Sequence, residues 1–334
     1  MSNHTYGLAT KCSTGVETLL LLTDDPDSAV RRAVAINPIS NEAVLRKLAG
    51  DSASEVRNAV IGHHSAPDDV ILGLLSGASL AARCSLAQKP KLSLKVIEAL
   101  FFDGNENVLS RLGRNEATPN EILSKLGAHS NPEIRAAVAC NPVCSIELLM
   151  SLSNDPDSKV VGKAASNPSM PSGRLDELAR LDGGKFNSIK LFIANNPSAE
   201  SCTLMWLFDL SSKKSMLLRA LCKHQNFPFE LKLKVALLNG NPQIVDELRS
   251  DISLKSDQFW MDLASSSELF LSSEIAHDGN VCSFGDALIN AGMVNVYQIW
   301  QSVELAKSID GNQSISLSNG ESVQVNTGAK RLHF

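Results

Sequence analysis

Asn37, His63, Lys89, Asn115, Asn141 and Asn167 follow one another at intervals of 26 residues, and Asn196 and His224 continue the series after steps of 29 and 28. The residue eleven places after each of the first seven is a leucine: Leu48, Leu74, Leu100, Leu126, Leu152, Leu178 and Leu207. A period of this length marks a repeat architecture, whose units each form one supersecondary motif that cannot bury its apolar face alone. The chain is therefore constrained to stack.

Two stripes define the unit. After the anchor, Val44 and Leu45 precede Leu48, and Val70 and Ile71 precede Leu74, the i, i+3, i+4 spacing of an amphipathic helix, helix A. Before the anchor, Val30 with Ala33 and Val34, Val56 with Ala59 and Val60, and Ile134 with Ala137 and Val138 repeat that spacing in helix B. Aromatics are only 5% of the chain, which suits helices packed through small and unbranched side chains better than sheets. Proline after the anchor, as in Asn37-Pro38 and Asn141-Pro142, ends helix B because it lacks an N–H and clashes with the preceding turn. Asn suits a left-handed cap there, and "ATPNEIL" reads as a capping box with Thr118 as N-cap and Glu121 reaching back. Short helices of this kind are unstable alone, so the expectation is an all-α solenoid of about eight two-helix repeats of 26–29 residues.

"DPDSAVRRAVAINPISNEAVLRKLAGD", "NPEIRAAVACNPVCSIELLMSLSND" and "RNEATPNEILSKL" resemble the leucine-rich repeat variant, a helical repeat similar in style to HEAT repeats. The resemblance covers Thr14 to Leu238 and implies a right-handed superhelix with a binding or scaffold role. Some relatives carry an iron–sulfur cysteine cluster ahead of the repeats, but only Cys12 precedes them here, so no cofactor is carried over. The expected organisation is a lead-in over 1–13, repeats over 14–238, a helical cap or small domain over 239–310, and a polar tail over 311–334. Helices are expected near Asp257 to Ala264 and Phe284 to Ile309, and "SISLSNGESVQV" around Asn319-Gly320 signals a terminal β-hairpin.

Six residues before the anchors stand Arg31, Arg57, Arg83, Leu109, Arg135 and Val161. A basic column one repeat apart can track a phosphate backbone. Six residues earlier still, however, stand Asp25, Asp51, Gly77, Asp103, His129 and Asp155, which points to a structural Asp–Arg ladder. Arg31 is expected to pair with Asp25 or a neighbouring acid, and Arg83 and Arg135 with Asp51 and Asp103 of the units before them. The next column, Arg32, Asn58, Cys84, Ser110, Ala136 and Gly162, keeps no charge and reads as a variable surface. Arg32, Asn58, Arg114 and Lys159 are the candidates for a partner-binding face.

No phosphate loop, nucleophile elbow or HExxH motif occurs, and His63-His64 has no third ligand nearby, so neither a catalytic centre nor a metal site is assigned. The net charge of −5 gives no general attraction for nucleic acid. Seven scattered cysteines suit reduced thiols in the cytoplasm, and no apolar run is long enough to span a membrane. The favoured function is non-catalytic binding of a protein or peptide along the solenoid. The alternative is a nucleic-acid-binding HEAT-like protein, including an alkylpurine glycosylase-like base-excision enzyme, with Phe192, Trp206, Phe208 and Asp209 as the aromatic and acidic groups near a flipped base.

Overall fold

The computed structural model describes residues 2–181, 188–211, 215–239, 242–277 and 279–318. The chain divides into two compact units, Met1–Thr203 and Leu204–Phe334.

The first unit is an all-α repeat stack. After α1 (Ser2–Thr10) and α2 (Val16–Leu22), a helix B and a helix A alternate six times. The pairs are α3 (Ser28–Ile36) with α4 (Glu42–Ala49), α5 (Ser54–Gly62) with α6 (Asp68–Leu74), and α7 (Leu80–Ala87) with α8 (Leu94–Phe102). Then come α9 (Glu106–Arg114) with α10 (Asn120–Gly127), α11 (Pro132–Ala139) with α12 (Ile146–Leu152), and α13 (Ser158–Ser166) with α14 (Ser172–Arg180). Helix α15 (Ile189–Ala194) follows, and α16 (Ser201–Asp209) straddles the division. Each B helix packs on the B helix of the next repeat, from α3 on α5 through to α13 on α15. Small side chains permit that approach: a Cβ added to Gly113 would lie 3.2 Å from the Ala137 Cβ. Helix α1 packs on α3 and so takes the place of a helix B, although the repeat pattern was not legible there.

The leucine column is core. Leu48, Leu100, Leu126, Leu152 and Leu178 are buried with Val44, Leu45, Val96, Ile97 and Leu123 beside them. Each such side chain contributes about 1.5–3 kcal/mol when taken from water. Leu74 is the exception and is only half-buried, because α6 ends on it and tightens into a 3-10 turn over Leu75–Gly77.

Two cap expectations are corrected. Asn37 (φ −62°, ψ 122°), Asn115 (φ −80°, ψ 124°) and Asn167 (φ −73°, ψ 126°) are extended rather than left-handed, so conformational tolerance does not explain their recurrence. Thr118 is not the N-cap of α10; that position is Pro119, without a side-chain hydrogen bond. The buried Thr118 hydroxyl instead donates to the Leu112 carbonyl at 2.7 Å, as Ser40 Oγ does to the Val34 carbonyl at 2.6 Å, closing the turn between the helices.

The second unit contains α17 (Ser215–Lys223), α18 (Phe229–Leu238), α19 (Pro242–Ser253) and α20 (Asp257–Ser266), then β1 (Glu274–His277) and β2 (Asn280–Ser283), then α21 (Phe284–Asn290) and α22 (Val294–Ser318). The strands pair antiparallel with Ile275 opposite Cys282, a hairpin the sequence reading did not expect. The helix expected over Phe284 to Ile309 is two, broken where Gly292 adopts φ 74°, a conformation favourable to glycine. The expected terminal hairpin is also corrected, since Ser314 to Ser318 continue α22 as helix; its turn and second strand lie outside the described residues. Trp300 anchors this unit, its ring 5.0 Å from that of Phe284 and its Nε1 donating to the Leu269 carbonyl at 2.8 Å.

Candidate binding face

The anchor residues build a buried ladder across the B helices. Asn141 Nδ2 donates to the carbonyls of Gly113 and Asn115, both at 2.9 Å, while its Oδ1 accepts from Val143 N at 3.0 Å. Asn37, Asn115, Asn167 and Asn196 repeat this, each reaching back one repeat to two carbonyls. An Asn amide supplies two donors and an acceptor in one short side chain, which is what an exposed helix end and a tight turn jointly require. Lys89 substitutes with its ammonium, donating to the Ile61 and His63 carbonyls at 2.8 Å each, and burial pushes its pKa down to about 8. His63 substitutes with its ring: Nδ1 accepts from Ser65 N at 3.1 Å, so the proton sits on Nε2 and is donated to the Asn37 carbonyl at 3.0 Å. Burial holds this imidazole below its ordinary pKa. Both rungs carry chemistry that looks functional in sequence, and both are committed to the joint.

The arginine column pairs forward. Arg31 makes a bidentate contact with Asp51, Nε to Oδ2 at 2.7 Å and Nη2 to Oδ1 at 3.0 Å, and Arg135 does the same with Asp155 at 2.7 and 2.9 Å. Arg83 Nε meets Asp103 at 3.1 Å. The partner is thus the acid of the following repeat, not the preceding one, because the guanidinium extends from helix B towards the next inter-helix loop. Asp25 gives Arg31 its backbone carbonyl rather than its carboxylate, which accepts from Asp27 N at 2.9 Å. Arg57 binds the carbonyls of Asp51 and Ser52 at 2.6 and 2.8 Å, and the residue twenty places on is Gly77. Hydrogen bonding from Arg31 holds the Asp51 carboxyl below the usual carboxylate range.

The exposed positions between these ladders form the candidate face. A groove of about 560 Å³ crosses α3, α5 and α7. It is lined by the small side chains of Ala59, Ala82 and Ser85 and by Gly62, and by the larger Arg32, Ile36, Glu55, Asn58 and His64. Among the described residues Arg32 has no ion-pair partner, whereas Arg31 beside it is fully engaged. Asn58, which also lines the groove, accepts from Ser79 N at its Oδ1 at 3.0 Å. The Glu55 carboxyl is held low by its own backbone N–H and then by the Ser28 hydroxyl. Arg114 lies apart, with Arg111, Gln88 and Glu116 around a second hollow of about 340 Å³. Lys159 is exposed and ion-paired with Glu133. The four candidates therefore do not share one site: Arg32 and Asn58 meet, and Arg114 and Lys159 stand elsewhere on the B helices.

Comparison with known proteins adds little to this geometry. No protein-family model matches the chain, and no curated protein matches it. A solved structure described as a leucine-rich repeat variant with a novel repetitive protein structural motif is 26% identical, over 54% of this chain and 70% of that one, with a TM-score of 0.42.

Glu55, Arg111 and Gly62 were missed by sequence reasoning, and His64 was weighed only as a metal ligand. Gly62 and Arg111 are singular in their columns, and only the side-by-side packing of successive B helices puts Glu55 and Gly62 on the groove of Arg32 and Arg111 beside Arg114. Gly162, opposite Arg32 in the repeat alignment, lies under the Phe192 ring, where an added Cβ would be 2.9 Å from a ring carbon. Phe192 belongs to the first unit, while in the second Phe208 stacks on His277 at 5.4 Å and lies beside Phe227. Among the described residues no group of three His, Cys, Asp or Glu side chains is placed to hold a metal ion, and no described helix is long and apolar enough to cross a membrane.

Proposed function

We propose that the chain is a non-catalytic binding protein that takes an extended segment of a partner protein along its B helices, centred on the groove across α3, α5 and α7. The carrying observation is the contrast between neighbouring arginines: Arg31 is consumed by Asp51 and two carbonyls, while Arg32, without an ion pair among the described residues, lines a groove with alanine, glycine and serine. A groove lined by small residues together with the cationic Arg32, the acidic Glu55 and the apolar Ile36 suits a peptide backbone with mixed side chains. A nucleic-acid strand needs a continuous basic track, and Glu55 interrupts this one. The repeat phrases support kinship with the leucine-rich repeat variants, and the scattered free cysteines support a reduced, cytoplasmic scaffold.

Gly62 supplies a clean test. A Cβ at this position meets nothing within 4 Å, so Gly62→Trp fills the groove without entering the core. With a photo-cross-linker in place of Asn58, the wild-type chain should capture a discrete partner from its own cells, and Gly62→Trp should abolish capture at an unchanged melting temperature. Capture surviving Gly62→Trp overturns the groove as the site, and retention of single- or double-stranded nucleic acid with a steep salt dependence overturns the reading in favour of the nucleic-acid alternative.

A further inference from the structure

A cavity of about 330 Å³ in the second unit is unrelated to the groove just described, which belongs to the first. It is bounded by the end of α19, the start of α20 and the turn joining α21 to α22. Its base is apolar: Ile252, Trp260 and Val296 are 2%, 3% and 6% exposed. Gly292 lies at the mouth, and an added Cβ there would meet nothing within 4 Å, so that side stays open.

The charge around it is unbalanced. Arg249 uses Nε on the Ala236 carbonyl at 3.2 Å, and the Lys255 ammonium lies 5.3 Å from the centre of the Phe259 ring. Among the described residues neither is paired with a carboxylate. The one acid on the lining is Asp257, whose carboxylate already accepts from Asn295 Nδ2 at 2.8 Å. Two cations against one acid leave a single positive charge above an apolar base.

We propose that this cavity binds a small amphipathic monoanion, a carboxylate carried on a short aliphatic or aromatic body. The volume sits at the lower end of the range for ligand sites, roughly 300–1,000 Å³, so the body is compact. The free edge of the Arg249 guanidinium matches the two oxygens of a carboxylate, and the Lys255 ammonium supplies the second contact as a point charge. One uncompensated charge balances a monoanion and leaves a phosphate dianion in excess. The apolar body covers Ile252, Trp260 and Val296.

The test is calorimetric titration of the full chain with benzoate and hexanoate, each against its neutral amide, and with inorganic phosphate. The acids should bind with one-to-one stoichiometry and a dissociation constant of about 1 mM or tighter, and the amides at least about tenfold more weakly. Lys255→Gln should weaken the acids at least about fivefold with an unchanged melting temperature. Arg249 also holds the Ala236 carbonyl, so its replacement risks the fold; Arg249→Lys keeps the charge, loses the fork, and should weaken binding as well. Absence of saturable heat up to about 10 mM, amides equal to acids, or affinity indifferent to Lys255→Gln sinks the proposal. Phosphate binding more tightly than the acids sinks the amphipathic assignment.

Discussion

Asn141 is fully buried, and truncating it to Ala strands the Gly113 carbonyl and the Val143 N–H inside the stack and leaves the Asn115 carbonyl with only the Thr118 N–H. Asn141→Ala is therefore expected to cost about 2–4 kcal/mol, seen as a lower urea midpoint with the fold retained. The two atypical rungs give the stack a pH dependence whose sign can be worked out. His63 has its pKa lowered from 6.5, so between the folded value and 6.5 the unfolded chain binds more protons. Its contribution is complete above 6.5 and is lost as pH falls through the folded value, where a proton on Nδ1 opposes the Ser65 N–H. Lys89, at about 8 when folded against 10.5, also holds fewer protons folded, so stability rises with pH across that window. Lys89→Asn should abolish this rise and add on the order of 1 kcal/mol at neutral pH, both read from denaturation midpoints against pH. The ladder's existence was legible as a column, but its purpose was not, because hydrogen bonds reaching back 26 and 28 residues are invisible until the repeats are stacked.

At the scale of helices and loops, the packing of α13 against α15 yields a double-mutant test. Gly162→Ala should lower the melting temperature although Ala is the better helix former, because its methyl group displaces the Phe192 ring; Phe192→Leu in the same chain should recover most of the loss. The A and B helices were legible because apolar residues recur at i, i+3 and i+4. The Asp–Arg pairing was legible in principle: Arg31 and Asp51, Arg83 and Asp103, and Arg135 and Asp155 are each twenty residues apart. Twenty residues after Leu109 stands His129, and after Val161 stands Leu181, so the acid is absent where the arginine is absent. Matching the acids to arginines in the same or the following repeat hid that rule. The hairpin of β1 and β2 escaped because its strands are four residues each, too short for alternation to speak, while a stronger Asn-Gly signal drew the expectation to the chain's end.

For the molecule as a whole, the proposed binding face puts recognition in a different column of the repeat from stability, so mutations should separate them. Arg32→Glu is expected to weaken partner binding at least about tenfold with an unchanged melting temperature, whereas Arg135→Leu, which takes the bidentate guanidinium away from the Asp155 carboxylate, should cost about 3 kcal/mol and leave the groove intact. Fold class could be read from period alone, while the groove could not, since three successive repeats must contribute to it before it exists. The direction of the ladder has a further consequence during synthesis. Every rung after the first is a donor on a later repeat satisfying carbonyls of an earlier one, so the newest repeat to leave the ribosome always ends in open acceptors. At about 5–20 residues per second the sealing side chain arrives within a few seconds. Nascent chains stalled at successive lengths should accordingly gain protease resistance in steps of one repeat, each step appearing when the next anchor emerges rather than when the helices it seals are complete.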